Sequence, residues 1–110
     1  MKGEKMIILR GLLPVFIAYV IYKKPGKVAN GKEIQRDLEK LYEKQIPRSV
    51  VYTALRRMIK YGIIEKQCET KSYKLNELGE IFLLKHIEIL RQVNIAINKI
   101  IFDMDSNQQQ

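Results

Sequence analysis

The sequence has one cysteine, one histidine and no tryptophan. One cysteine excludes a disulfide framework within the chain and every cysteine-based zinc pattern, and one histidine excludes the histidine-rich metal sites. The G-x-G-x-x-G fingerprint, the P-loop and the G-x-S-x-G nucleophile elbow are absent. One His, one Cys and scattered carboxylates do not assemble into a base, a nucleophile and an orienting group, so the expectation is a non-enzyme with no cofactor and no metal. Apolar runs are short as well. The longest, Leu12–Tyr22, covers eleven residues, well under the ~20 that a membrane-spanning helix needs. Lys2, Lys5 and Arg10 before it mimic a signal peptide. However, Pro14 interrupts the run, Lys23-Lys24-Pro25-Gly26 closes it, and no small-x-small cleavage site follows. A buried helix of a cytoplasmic, non-membrane protein is therefore expected, with Pro14 near its first turn, where a missing N–H costs little.

The chain carries 20 Lys+Arg against 12 Asp+Glu over 110 residues, a formal net charge of +8. At 46% hydrophobic and 29% charged it is neither disordered nor membrane-embedded, and its length is that of one domain. The charge is unevenly placed: residues 1–32 and 44–74 each carry a net +6, whereas 33–43 and 75–110 each carry −2. Focused positive charge on a small domain attracts a polyanion, nucleic acid or an anionic surface.

Local signals divide the chain. Met1–Lys5 is a polar lead-in to a helix expected over about 7–23, and Pro25-Gly26 is a turn signal. Asn30 with Glu33 three residues on forms a capping-box variant, opening an amphipathic helix over about 31–43 whose apolar stripe is Ile34, Leu38 and Leu41. Pro47 breaks the pattern, and a second helix over about 48–61 follows, with Val51, Leu55, Met58 and Ile59 as its buried stripe and Gly62 as its left-handed stop. Ile63–Glu69 and Ser72–Leu75 flank Thr70-Lys71 as a β-hairpin over about 63–75, in which Cys68 is expected to face the core. Tyr19, Tyr22, Tyr52, Tyr61 and Tyr73 are expected as aromatic core. Asn76 caps a last helix over about 77–102, and 103–110 reads as a frayed tail. Its Asp103-x-Asp105-x-Asn107 start lacks the glycine and closing glutamate of a calcium loop.

Two short amphipathic helices, a tight connection and a hairpin make an α+β domain of winged helix-turn-helix type over residues 1–76. Ser49, Thr53, Arg56, Arg57 and Lys60 lie off the buried stripe of the second helix, and Arg48 stands at its opening. Arg can fork onto guanine, Ser and Thr can reach bases or phosphates, and Lys serves mainly as a phosphate partner. Lys66, Lys71 and Lys74 on the hairpin can follow the backbone as a wing. Asn30 and Lys32, at the start of the preceding helix, complete the set expected to meet double-stranded DNA.

At these residues the chain resembles the PadR-like family of winged-helix transcriptional regulators. Arg48–Ile64 is similar to that family's recognition helix and wing start, with its Y-x-x-L-x-R-L-x-x-x-G-h-h character (h apolar). Ser72–Gly79 is similar to its second wing strand and the Y-x-L-T-x-x-G element, and Gly31-Lys32-Glu33-Ile34 to its G-Y-E-I helix start. Asn76 stands where the family has Thr, Lys32 replaces an aromatic, and the wing tip is short. The resemblance implies a dimeric DNA-binding regulator, a repressor by expectation, with room for a small-molecule effector of unidentified chemistry.

The last helix supports the dimer independently. Leu83, Ile87, Leu90, Asn94, Ile97, Ile101 and Met104 hold a 3.5-residue period with one polar member, and Phe82, His86, Ile89, Val93, Ala96 and Ile100 form a second seam. The seam with Leu83, Ile87, Leu90, Asn94, Ile97 and Ile101 is expected to meet a second copy, and the other to cover its own domain. From the residues alone, an architectural DNA-coating protein and a winged-helix protein-interaction module stay open as alternatives.

Overall fold

The apolar run becomes helix α1, Lys2–Tyr22, in a computed structural model that describes residues 2–108, with side chains from residue 11 onward. Pro14 sits inside this helix rather than in its first turn. An interior proline removes one hydrogen bond and crowds the preceding turn, a cost of ~3 kcal/mol. Burial of Leu13, Val15, Ile17, Val20 and Ile21 on the same helix outweighs it, since each such side chain contributes ~1.5–3 kcal/mol. The lead-in also differs from expectation, because Lys2–Lys5 is already helical; Lys2, Glu4 and Lys5 are good helix formers and offset Gly3. Met1 lies outside the described residues.

A 3-10 turn at Pro25–Lys27, with Gly26 at φ 67°, leads into strand β1, Val28–Asn30. Helix α2, Gly31–Tyr42, opens on a complete capping box: Asn30 Oδ1 accepts from the Glu33 N–H at 2.9 Å, and Glu33 Oε1 accepts from the Asn30 N–H at 3.0 Å. Ile34 and Leu38 are buried, but Leu41 is half exposed. Tyr42 takes its place against the core and lies 5.2 Å from Phe16, ring to ring. Helix α3 is Arg48–Lys60. Its buried face is Val50, Val51, Ala54, Leu55 and Met58, while Ile59 is only partly covered.

Strands β2, Ile64–Gln67, and β3, Ser72–Leu75, form the expected hairpin. β1 adds a third strand, giving an antiparallel sheet in the order β1-β3-β2. Tyr73 and Leu75 face the core. Cys68 does not: it is exposed in the turn, past the last ladder pair, Gln67 with Ser72. Of the five tyrosines expected inside, only Tyr73 is buried. Tyr52 is half-buried, and Tyr19, Tyr22 and Tyr61 are exposed.

Helix α4, Glu77–Gln108, runs through the stretch expected to fray; Gln109 and Gln110 lie outside the described residues. Its first turn is locked to the end of α3. Asn76 Oδ1 accepts from the Gly79 N–H at 2.8 Å, and its Nδ2 donates to the Gly62 carbonyl at 2.7 Å and to Glu65 Oε2 at 3.3 Å. Gly79 lies so close to the Ile63 carbonyl and Leu75 that a Cβ would collide with both. Lys27 bridges Glu80 at 2.8 Å, and this hydrogen bond raises the lysine pKa. The four helices and the sheet make the α+β, winged-helix architecture, with the core between α1, α2, α3 and the sheet.

Two stability predictions follow from these contacts. Asn76→Ala loses a cap and should cost about 1–2 kcal/mol in urea unfolding. Gly79→Ala drives a methyl into backbone and should cost about 2 kcal/mol or more. Equal stability of Gly79→Ala and the parent would refute the close approach. A third prediction concerns Tyr42, whose hydroxyl is buried with no hydrogen-bond partner among the described residues and whose pKa burial pushes up to about 12. Above pH ~10 the unfolded chain loses this proton first, so stability falls as pH rises from there toward the folded value. Tyr42→Phe should be neutral or stabilising by up to about 1 kcal/mol at pH 7 and should flatten that alkaline fall.

Candidate nucleic-acid interface

At about 100° per residue, the buried residues of α3 leave one outward face, on which Ser49, Thr53, Arg56 and Lys60 recur at intervals of four, three and four. All four are exposed. Arg56 Nη2 donates to Thr53 Oγ1 at 3.2 Å, so the guanidinium is steadied within the stripe. Arg57, one residue further round, lies on the flank toward α1 and lines a cleft with Leu13 and Pro14. Arg48 is exposed at the opening of the helix.

The opening of α3 differs from those of α2 and α4. Pro47 provides no side-chain cap, and no acidic residue occupies the first turn. Helix N-terminal N–H groups and the helix dipole favour an anion, here with Arg48 and Ser49 beside them. At the start of α2, Lys32 is exposed, and Asn30 is also exposed although its amide oxygen is committed to the cap.

The tilt of α3 is set by contacts that sequence periodicity does not display. Gln35 Nε2 donates to the Ile46 carbonyl at 2.8 Å, and the Ile46 N–H donates to Glu39 Oε2 at 2.8 Å, pinning the turn between the two helices while the Ile46 side chain is buried. Gly31 lies against Tyr52 of α3, where a Cβ would collide with the tyrosine hydroxyl. Burial, and after it Tyr52, raise the Tyr73 pKa above the ordinary phenol value, while Arg56 lowers it.

The wing divides its lysines between two faces. Directly opposed residues share a face of the sheet. Lys66 opposes Tyr73 and lies on the side of the sheet that faces the helices, whereas Lys74 opposes Glu65 on the other side. Lys71 is exposed at the tip with φ 52°. The structure therefore groups Ser49, Thr53, Arg56 and Lys60 along α3, places Lys66 on the same side of the wing and Lys71 at its tip, and sets Lys74 apart.

On α4, Leu83 is buried and Phe82 and Leu90 are partly buried against the domain, with the His86 ring 4.2 Å from Phe82 and its Nδ1 2.8 Å from the Phe82 carbonyl. Ile87 is 37% exposed, Ile97 45% and Ile101 51%, and every residue over 91–108, Asn94 included, is exposed. The division is thus by length rather than by seam: the first half of α4 covers its own domain, and the second half projects with both seams bare.

The fold has counterparts of known structure. A transcriptional regulator from Clostridium thermocellum superposes with a TM-score of 0.71 at 22% identity, over 84% of this chain and 95% of that one. A candidate transcriptional regulator from Thermoplasma acidophilum gives 0.68 at 21% identity, over 86% and 92%. The protein hsRosR, in a complex structure, gives 0.61 at 18% identity, over 89% and 93%. At these identities the likeness establishes the fold. No protein-family model and no curated protein matches the chain. Among the described residues, no helix is long and apolar enough to cross a membrane.

Proposed function

We propose that this protein is a dimeric, sequence-specific regulator of transcription, PadR-like in character, that places α3 in the major groove of double-stranded DNA and its wing along the backbone. The observation that carries the reading is the stripe Ser49, Thr53, Arg56 and Lys60 on the open face of a helix whose start has neither cap nor acid. Arg56 is suited to a forked contact with guanine, and Lys60, Lys66 and Lys71 to phosphates. Support comes from the two fold counterparts that are transcriptional regulators or candidates for that role, and from the motif likeness over Arg48–Ile64. A repressor role rests on that motif likeness alone.

The dimer is supported by the bare half of α4. Ile97, Ile100, Ile101, Phe102 and Met104 are each at least 45% exposed, and clustered exposed apolar side chains mark an interaction surface. A second copy packed there would bury it and would present two recognition helices about one DNA turn apart, ~34 Å.

Competition binding checks this function. At moderate salt the protein should prefer its own upstream region over random duplex by ~10³ or more. Arg56→Ala should cost about 1–3 kcal/mol and relax preference at one base position, whereas Lys60→Ala should weaken all sequences alike and lower the salt-dependence slope by about one. A folded Arg56→Ala protein with unchanged affinity would refute the role of α3. Tight binding without sequence preference would instead indicate an architectural protein, and binding to no duplex an interaction module.

A further inference from the structure

The capping box at the start of α2 also encloses a reactive dipeptide. Asparagine is among the chemically labile residues, and Asn30 is followed by Gly31, whereas Asn76, Asn94, Asn98 and Asn107 are followed by Glu, Ile, Lys and Gln. A glycine leaves its own backbone nitrogen open to the preceding side-chain amide, because no Cβ screens it. Two independent demands keep this pair together. Asn30 caps α2 through Oδ1, which accepts from the Glu33 N–H at 2.9 Å. Gly31 is buried, and a Cβ there would lie 2.0 Å from the Tyr52 hydroxyl oxygen on α3. Asn30 itself is exposed, so water reaches it.

Gly31 is the first residue of α2, and the first N–H groups of a helix have no intrahelical acceptor. A reaction at that nitrogen therefore sacrifices no helix hydrogen bond. We propose that Asn30 is a site of spontaneous deamidation, converted in the folded chain to aspartyl and isoaspartyl at a rate set by the capping box. The Gly31 nitrogen attacks Asn30 Cγ. The N–Cγ bond forms, the Cγ–Nδ2 bond breaks, and Nδ2 leaves as ammonia with the proton that Gly31 gives up. Water then opens the cyclic imide at either carbonyl, and no oxidant or reductant takes part. Ring closure swings Cγ onto the Gly31 nitrogen and takes Oδ1 off the Glu33 N–H, so only the uncapped fraction reacts. The box, completed by the Asn30 N–H donating to Glu33 Oε1 at 3.0 Å, is thus a brake on the reaction. The aspartyl product still caps a helix, but it sets a negative charge next to Lys32 in the set of residues proposed to meet DNA. The isoaspartyl product lengthens the backbone between β1 and α2. Loss of DNA affinity on ageing rests on the DNA-binding reading above, but the chemistry at Asn30 does not.

The full chain, incubated in mildly alkaline buffer with and without urea, tests this by peptide mass spectrometry with separation of the aspartyl and isoaspartyl forms. In the folded protein conversion should concentrate at Asn30 and give both products. It should run at least ~5-fold slower than in urea, as expected for a cap that must open first. Glu33→Ala, which removes half of the box, should speed the folded reaction ~2–5-fold and leave the rate in urea unchanged. No conversion of folded Asn30 while the urea sample reacts to completion overturns the proposal, as does equal conversion at the other asparagines. A folded rate equal to the rate in urea overturns the brake, and so does an unaltered rate in a Glu33→Ala protein that keeps its fold. In a second measurement, Asn30→Asp should bind DNA ~3–10-fold more weakly than the parent at moderate salt. The aged parent should lose affinity in step with conversion, whereas aged Asn30→Ser should keep its own starting affinity. Equal affinity of Asn30→Asp and the parent overturns the link to DNA. Conversion at Asn30 in a protein that binds no DNA leaves the modification assigned and removes the DNA reading instead.

Discussion

The junction at Asn76 and Gly79 holds the functional parts of this molecule in one frame. Within a few residues, the end of α3, the root of the β2–β3 hairpin and the first turn of α4 meet. Asn76 ties the Gly62 carbonyl to the Gly79 N–H, and Gly79 lets α4 press onto the Ile63 carbonyl. Because the contact is made by backbone and by one short amide side chain, it has little play. Whatever sets the position of α4 therefore sets the position of α3, and in the proposed dimer a partner along α4 would fix the separation of the two copies of α3.

The opposite side of α3 is held as firmly. Gln35 and Glu39 grip both polar groups of the Ile46 backbone, and Tyr52 rests on Gly31. Polar groups of α2 that look like an ordinary solvated face thus pin the turn. With α3 fixed at both ends, its outward stripe is presented on a rigid body, the condition under which a few side chains can discriminate among bases. The uncapped start of α3, beside Arg48, adds the attraction for phosphate that a well-capped helix would have spent on its own side chains.

Much of this was legible in the residues where the governing chemistry is local. The Asn30–Glu33 capping box, the cap at Asn76 and the left-handed Gly62 each depend on neighbours a few positions away, and all three are present. The outward residues of α3 follow from helical periodicity, and they are exposed. Features that depend on tertiary partners were not legible. β1 has only three residues, too few to show alternation, and exists because β3 has a free edge. Leu41 lost its place to Tyr42, whose ring reaches Phe16. Cys68 continues the alternation of β2 but falls past the last ladder pair, so nothing covers it. Pro14 suggested a helix start because its local cost is large, yet burial along α1 outweighs that cost. The two seams of α4 were correctly periodic, but periodicity carries no information on where the domain beneath the helix ends.

The proposed function reduces to one claim: that α3, steadied at both ends and doubled by a partner along α4, reads DNA at two places. Selection of bound fragments from random and genomic DNA tests it most directly, since one data set reports both sequence preference and spacing. The account predicts enrichment of an inverted repeat whose half-sites are centred about one helical turn apart, ~34 Å. Recovery of fragments with no shared sequence, or of single half-sites with no fixed spacing, would contradict it.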